Sequence, residues 1–261
     1  MNLRVAVCKA MCIGAGMAIV PALAAGAPAN SDTHANSGAA AEQCGTLFSA
    51  KVCTSYKMDA GKVTEFSLHV PLAMLDGAPT SDPMVWPPKT DLIVPFADAV
   101  KDQTGFTFSN IYWNPMGHPP AAYMTPHLDF HFYFVPQDAL QSFDCKDTTK
   151  PSTLPDGYAI PDVDVPGIGT LIGICIPAMG MHAIPAADLT TKNWEGSLLV
   201  GYYSGKPIFI EPMITKALLM KKQSFTLPIP AIAPTPNVRY PRQFNAVYDA
   251  KLDSYDFTFS Y

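Results

Sequence analysis

Proline sets the first limit on this chain: 26 of its 261 residues are Pro, and they punctuate nearly every segment. An interior proline removes a helical hydrogen bond and costs about 3 kcal/mol, which excludes a coiled coil or a long helical bundle. Disorder is excluded for most of the length, because 48% hydrophobic and 11% aromatic residues can support a large core. Nucleic-acid binding is excluded as well, since 17 basic residues against 22 acidic ones leave a net charge of −5. What remains is a mostly β fold: a single-domain antiparallel barrel or sandwich with long Pro-rich loops and one or two short helices.

Alternation of apolar and polar residues places the strands. Lys62–Val70, Phe106–Trp113, His127–Val135, Gly169–Ile176, Ser197–Tyr203, Lys206–Ile210 and Ala246–Ala250 read as strands. Tyr203-Ser204-Gly205-Lys206 reads as a hairpin turn. Helix is expected only at Phe96–Asp102 and Pro212–Met220. At the C-terminus, Tyr255, Phe257, Phe259 and Tyr261 alternate with polar residues. That pattern suits the last strand of a soluble sheet or of an outer-membrane barrel. The frequent prolines, and the lack of a repeated series of alternating segments, favour the soluble sheet.

The first residues read as an export signal. Arg4 and Lys9 accompany the apolar stretch Ala10–Val20, and Ala22-Leu23-Ala24 supplies a small-x-small cleavage site. The apolar run falls short of the ~20 residues that span a bilayer. Residues 1–24 are therefore expected to be a signal peptide, 25–43 a flexible leader and 44–261 one β domain, in a periplasmic or secreted protein that spans no membrane after cleavage. Cys44, Cys53, Cys145 and Cys175 remain after cleavage, and an even count in an exported chain points to disulfides. Of three connectivities, Cys44–Cys53 with Cys145–Cys175 is the simplest. No CxxC spacing supports a thiolate zinc site.

The chemistry is concentrated in one stretch. As a strand, His127–Val135 sets His127, Asp129, His131 and Tyr133 on one face and Leu128, Phe130, Phe132 and Phe134 on the other. The apolar face belongs in a core. The polar face has three readings: a solvated surface, a buried hydrogen-bond network, or a metal site. Neighbours at i,i+2 lie ~6.6 Å apart and i,i+4 neighbours ~13 Å, so His127 with Asp129, or Asp129 with His131, can share one ion comfortably. His127 with His131 reaches only at the limit. Further ligands must come from elsewhere, and His182 and Glu211 are the candidates, with His118 a third. Two imidazoles and a carboxylate suit zinc, iron or manganese.

The run Asn114-Pro115-Met116-Gly117-His118-Pro119-Pro120, with Tyr123 and Pro126-His127-x-Asp129-x-His131-Phe132-Tyr133, resembles the signature of the TTHB210-like (DUF5602) family of bacterial, often exported proteins. Pro177–His182, Gly201–Thr215, and Tyr240-Pro241 with Tyr248-Asp249 fit the same pattern. The chain departs from it after His182, where Ala183-Ile184 stand in place of an aromatic. The resemblance implies a single mostly-β domain that forms homo-oligomers, and it implies no activity.

Three functions follow from these residues. One is an exported protein with a mononuclear divalent-metal site drawn from His127, Asp129, His131, His182 and Glu211. Such a site would suit hydrolytic, lyase or oxygen chemistry, with His118 and Tyr133 as acid/base groups or substrate contacts. The second is a non-catalytic oligomeric envelope or stress protein in which the His/Asp row is structural. The third is a small-molecule binder lined by Tyr112, Trp113, Tyr133, Tyr202 and Tyr203.

Overall fold

Phe66, Phe130, Phe132, Phe257 and Phe259 meet in one aromatic layer, with ring centroids 4.8 Å apart for Phe130–Phe257 and 4.7 Å for Phe132–Phe259. The two sheets that carry these rings form a sandwich in a computed structural model that describes residues 43–81 and 87–261. The chain begins with β1 (Gln43–Leu47), β2 (Ala50–Asp59) and β3 (Lys62–Pro71), then forms β4 (Leu92–Pro95), helix α1 (Asp98–Thr104), β5 (Phe108–Asn114) and β6 (His127–Tyr133). Next come β7 (Tyr158–Ala159), β8 (Val163–Val165), β9 (Gly169–Leu171), β10 (Met181–Pro185), β11 (Gly196–Tyr203) and β12 (Lys206–Thr215). Helix α2 (Lys216–Leu219) leads into β13 (Phe225–Leu227), β14 (Gln243–Asp249) and β15 (Ser254–Ser260).

A six-stranded antiparallel sheet runs β1-β2-β3-β15-β14-β13, and a seven-stranded one runs β4-β5-β6-β12-β11-β10-β7, while β8 and β9 form a separate hairpin. Neither large sheet closes on itself, so the architecture is a sandwich and not a barrel. Tyr255, Phe257 and Phe259 are buried in its core, and β15 sits inside its sheet between β3 and β14. No helix among the described residues is long and apolar enough to cross a membrane. The expected signal peptide and almost all of the expected leader lie outside the described residues.

Two of the expected elements end elsewhere than the sequence reading placed them. The strand expected over Gly169–Ile176 stops at Leu171, because Gly173 and Ile174 take positive φ values of 63° and 50° and turn the chain. The helix expected over Pro212–Met220 is reduced to α2, because β12 continues through Pro212 to Thr215. Ile210 and Ile214 fill the sandwich core, and their burial outweighs the donor that Pro212 lacks. Thr215 ends the strand and caps the helix, its side chain accepting the Leu218 N–H at 3.0 Å. Thr215→Ala is expected to cost about 1 kcal/mol, read as a lower urea midpoint with an unchanged slope.

Both expected disulfides are formed, Cys44–Cys53 between β1 and β2 and Cys145–Cys175 across the loops over the second sheet. They fit an oxidising compartment outside the cytoplasm.

Candidate metal centre

Strand β6 is buried along its whole length, so its polar face is not a solvated surface. Leu128, Phe130 and Phe132 enter the sandwich core. His127, Asp129, His131 and Tyr133 point to the outer face of the seven-stranded sheet, which loops 115–125 and 160–180 cover. The ladder fixes their neighbours: Asn114 lies opposite His127, Tyr112 opposite Asp129 and Asn110 opposite His131 on β5. On β12, the pairs Phe209–Tyr133 and Met213–Asp129 bracket Glu211, which puts its carboxylate beside His131. His182 comes from β10, opposite Gly201. A Cβ at Gly201 would stand 2.0 Å from the Phe209 ring, so its absence lets Phe209 pack against both imidazoles, edge to face with His131 at 4.7 Å and tilted against His182 at 5.3 Å.

The structure sorts the sequence candidates into two triads. His131, His182 and Glu211 form one, His118, His127 and Asp129 the other, each with its ligand atoms within 4.8 Å of one another. In the first, His131 Nε2 is 3.5 Å from Glu211 Oε1 and His182 Nε2 is 3.8 Å from Glu211 Oε2. In the second, His127 Nε2 is 3.1 Å from Asp129 Oδ1 and His118 Nε2 is 3.4 Å from Asp129 Oδ2. His127 and His131 do not share a triad, in keeping with the reach of their side chains on one strand.

Three of the four imidazoles are oriented from behind. His127 Nδ1 donates to Thr125 O (2.7 Å), His182 Nδ1 to Ile174 O (2.9 Å) and His118 Nδ1 to Pro119 O (2.8 Å). With the proton on Nδ1, a ring in its neutral form turns its Nε2 lone pair toward the facing carboxyl group. His127 Nε2, Asp129 Oδ1, both ring nitrogens of His131 and Glu211 Oε2 are buried without a hydrogen-bond partner among the described residues. Each such group costs about 1–3 kcal/mol, and native interiors hold few of them.

Electrostatics separates the two carboxylates. Burial, with the Asp129 charge adding to it, pushes Glu211 well above the usual carboxylic acid value of 4.5. Burial also acts upward on Asp129, but the His127 and His118 imidazoles outweigh it and hold this carboxyl well below 3.8. Burial lowers His131 to about 3, with the His182 ring adding to the effect, and lowers His182 to about 4. For His118 burial acts downward, yet its contact with Asp129 prevails and the ring is raised above 6.5.

Asp129, His131, His182, Glu211 and His118 open on a cavity of ≈ 390 Å³ whose other walls include Ile174, Met179, Ile184, Leu199 and Met213. Comparison with family models, curated proteins and solved structures finds no match. The site is therefore read from its own geometry. Tyr133 does not line the cavity: its ring stacks on Phe108 at 4.8 Å, and its hydroxyl is buried without a hydrogen-bond partner among the described residues. Burial raises it well above 10. Tyr112 lines the cavity instead, one strand over, with its ring 5.2 Å from that of His131. Its hydroxyl accepts from Asn110 Nδ2 (2.9 Å) and Thr90 Oγ1 (3.0 Å), and burial raises its pKa to about 12, so the phenol keeps its proton.

Sequence reading missed several supporting residues. Asn114 Nδ2 donates to Asp129 Oδ2 at 2.8 Å, and alternation on β5 could have found it, two residues beyond Tyr112. Asp188 had no signal, because it comes from a short 3₁₀ turn, Ala186–Thr190, with no periodicity to mark it. Its Oδ2 accepts from Tyr123 (2.7 Å) and Ser197 (2.5 Å), and Ser197 accepts from Trp194 Nε1 (2.9 Å). This network holds the Trp194 ring 5.3 Å from His127.

Proposed function

We propose that this chain is an exported metal-dependent enzyme whose His131, His182 and Glu211 hold one divalent ion at the floor of the cavity. The orphaned lone pairs of this triad carry the reading. Two neutral imidazoles and one carboxyl group converge, with no hydrogen bond between them among the described residues, at N···O separations of 3.5 and 3.8 Å. Ligands bound at about 2.0–2.2 Å around a tetrahedral ion stand roughly 3.4 Å apart, so little movement is needed to close the shell. The donor set suits zinc, iron or manganese, and three protein ligands leave a position open toward the cavity.

An ion of this class polarises a substrate carbonyl or phosphoryl oxygen and acidifies a bound water. The chain's own residues supply the rest. Tyr112, its hydroxyl already accepting two hydrogen bonds, has its proton free to donate into the cavity. Ile174, Met179, Ile184, Leu199 and Met213 exclude water and favour a small, largely apolar substrate. Hydrolysis or elimination matches this combination best. The run from Asn114 to Tyr133 supports membership of the TTHB210-like (DUF5602) family, and the Arg4–Ala24 segment supports a periplasmic or secreted location.

The test is zinc uptake by chelator-stripped protein, measured by equilibrium dialysis. Wild type should bind zinc, and His131→Ala should weaken the site by on the order of 10²–10³-fold while keeping its β circular dichroism. Wild-type protein that takes up neither zinc, iron(II) nor manganese would overturn the reading.

A further inference from the structure

We infer a second metal site at the edge of the cavity, built from His118 and Asp129, which line it, and from the fully buried His127 beside them, and separate from the His131–His182–Glu211 triad. It would take a divalent first-row transition ion, because two imidazoles and one carboxylate are borderline donors.

Four observations carry this. First, His127 Nε2 and Asp129 Oδ1 approach to 3.1 Å, yet among the described residues neither atom has a partner in well-aligned hydrogen-bond geometry. Second, both imidazoles are held by Nδ1–H bonds to backbone carbonyls, Thr125 O and Pro119 O, the orientation that leaves Nε2 free to ligate. Third, Asn114 Nδ2 donates to Asp129 Oδ2 at 2.8 Å and fixes the carboxyl group while Oδ1 faces His127, a support of the kind that ligating carboxylates receive. Fourth, the N···O separations of 3.1 and 3.4 Å sit near the roughly 3.4 Å edge of a tetrahedral shell. The rings of His118 and His127 stand edge to face at 4.7 Å, which lets both Nε2 atoms reach one point.

A buried ionic network is the competing explanation. It would leave His127 Nε2 and Asp129 Oδ1 without partners at the interior of the site, where each orphan is costly. One ion satisfies both. His118 is the half-buried member, on the loop at the cavity mouth, so this site lies nearer solvent than the first.

The proposal does not depend on the first site, and a metal count separates the two. Chelator-stripped wild type, His118→Ala, His182→Ala and the double variant are dialysed against zinc and assayed for bound metal and for β circular dichroism. His118→Gln serves as a second variant that retains bulk. Two equivalents in wild type, one in either single variant and none in the double variant are expected. One wild-type equivalent that survives His118→Ala and His118→Gln but is lost in His182→Ala would overturn the second site and leave the first. One equivalent lost in His118→Ala but kept in His182→Ala would support the second site and overturn the first. No uptake by folded wild type would overturn both.

Discussion

Glu211→Gln is expected to stabilise the metal-free protein while removing most of its metal affinity. The carboxyl is raised well above 4.5 by burial and by the Asp129 charge, so the folded state holds a proton that the unfolded state gives up. Between 4.5 and the folded-state value, stability falls as pH rises, with a limiting slope of about 1.4 kcal/mol per pH unit. Glutamine has the same shape and nothing to titrate, and its amide can donate to the His131 or His182 Nε2 that faces it. The gap in stability between variant and wild type should therefore open above pH 4.5 and widen with pH. His131 and His182, lowered to about 3 and 4, act with the opposite sign. Unfolded imidazoles take up protons below about 6.5 while the folded ones do not, so their contribution is lost as pH falls below that value. Together these groups place the wild-type site's best metal-free stability near pH 6.5. Metal affinity of Glu211→Gln should drop by on the order of 10²–10³-fold, and the proton that wild type releases on binding should vanish. Urea unfolding across pH, with zinc calorimetry in two buffers, checks both. A variant less stable than wild type at pH 8 would make Glu211 a structural group.

Gly117→Ala is expected to cost about 2–5 kcal/mol and to empty the second metal site alone. Gly117 sits at φ +71°, where a side chain costs about 1–2 kcal/mol. Its added Cβ would stand 2.2 Å from Tyr123 O and 2.4 Å from Thr125 N, both backbone atoms, which adds about 1–3 kcal/mol of overpacking. The segment that must shift holds both imidazoles: His118 N donates to Tyr123 O at 3.2 Å, and Thr125 O orients His127. Gly157 provides the control, because it has φ +77° with nothing within 4 Å of an added Cβ. Gly157→Ala should carry the φ cost without any change in metal count. Thermal unfolding and zinc stoichiometry read the two effects. Two equivalents retained in Gly117→Ala would mean that the loop does not set the ligand geometry.

The strand carrying His127, Asp129 and His131 was legible because its period of two is strict and its inward face is wholly aromatic. The same alternation separated His127 from His131, and the structure puts them in different triads. Glu211 was legible as a carboxylate in an apolar strand, but its mid-strand position was not. Pro212 reads locally as a break, and only the Ile210 and Ile214 positions in the sandwich core show why β12 runs on. His182 was singled out for its residue type, whereas β10 went unseen, because Gly180 reads as a turn and the five-residue strand has one polar side chain. From the sequence, Tyr133 reads as an acid/base group or substrate contact because it shares the polar face. That face continues past the cavity, and the aromatic cluster of Phe108 and Phe209 encloses the tyrosine there. Tyr112 takes the place beside His131 through β5–β6 pairing, a relation between strands that periodicity along one strand does not contain.

Anomalous diffraction at the zinc edge, on crystals of chelator-stripped protein soaked in zinc, tests the central claim most directly. The expected map has one peak bounded by His131 Nε2, His182 Nε2 and a Glu211 oxygen, and a second bounded by His118 Nε2, His127 Nε2 and an Asp129 oxygen. A map with no peak at the first position, and with ordered water hydrogen-bonded to the His131 and His182 Nε2 atoms, would contradict it.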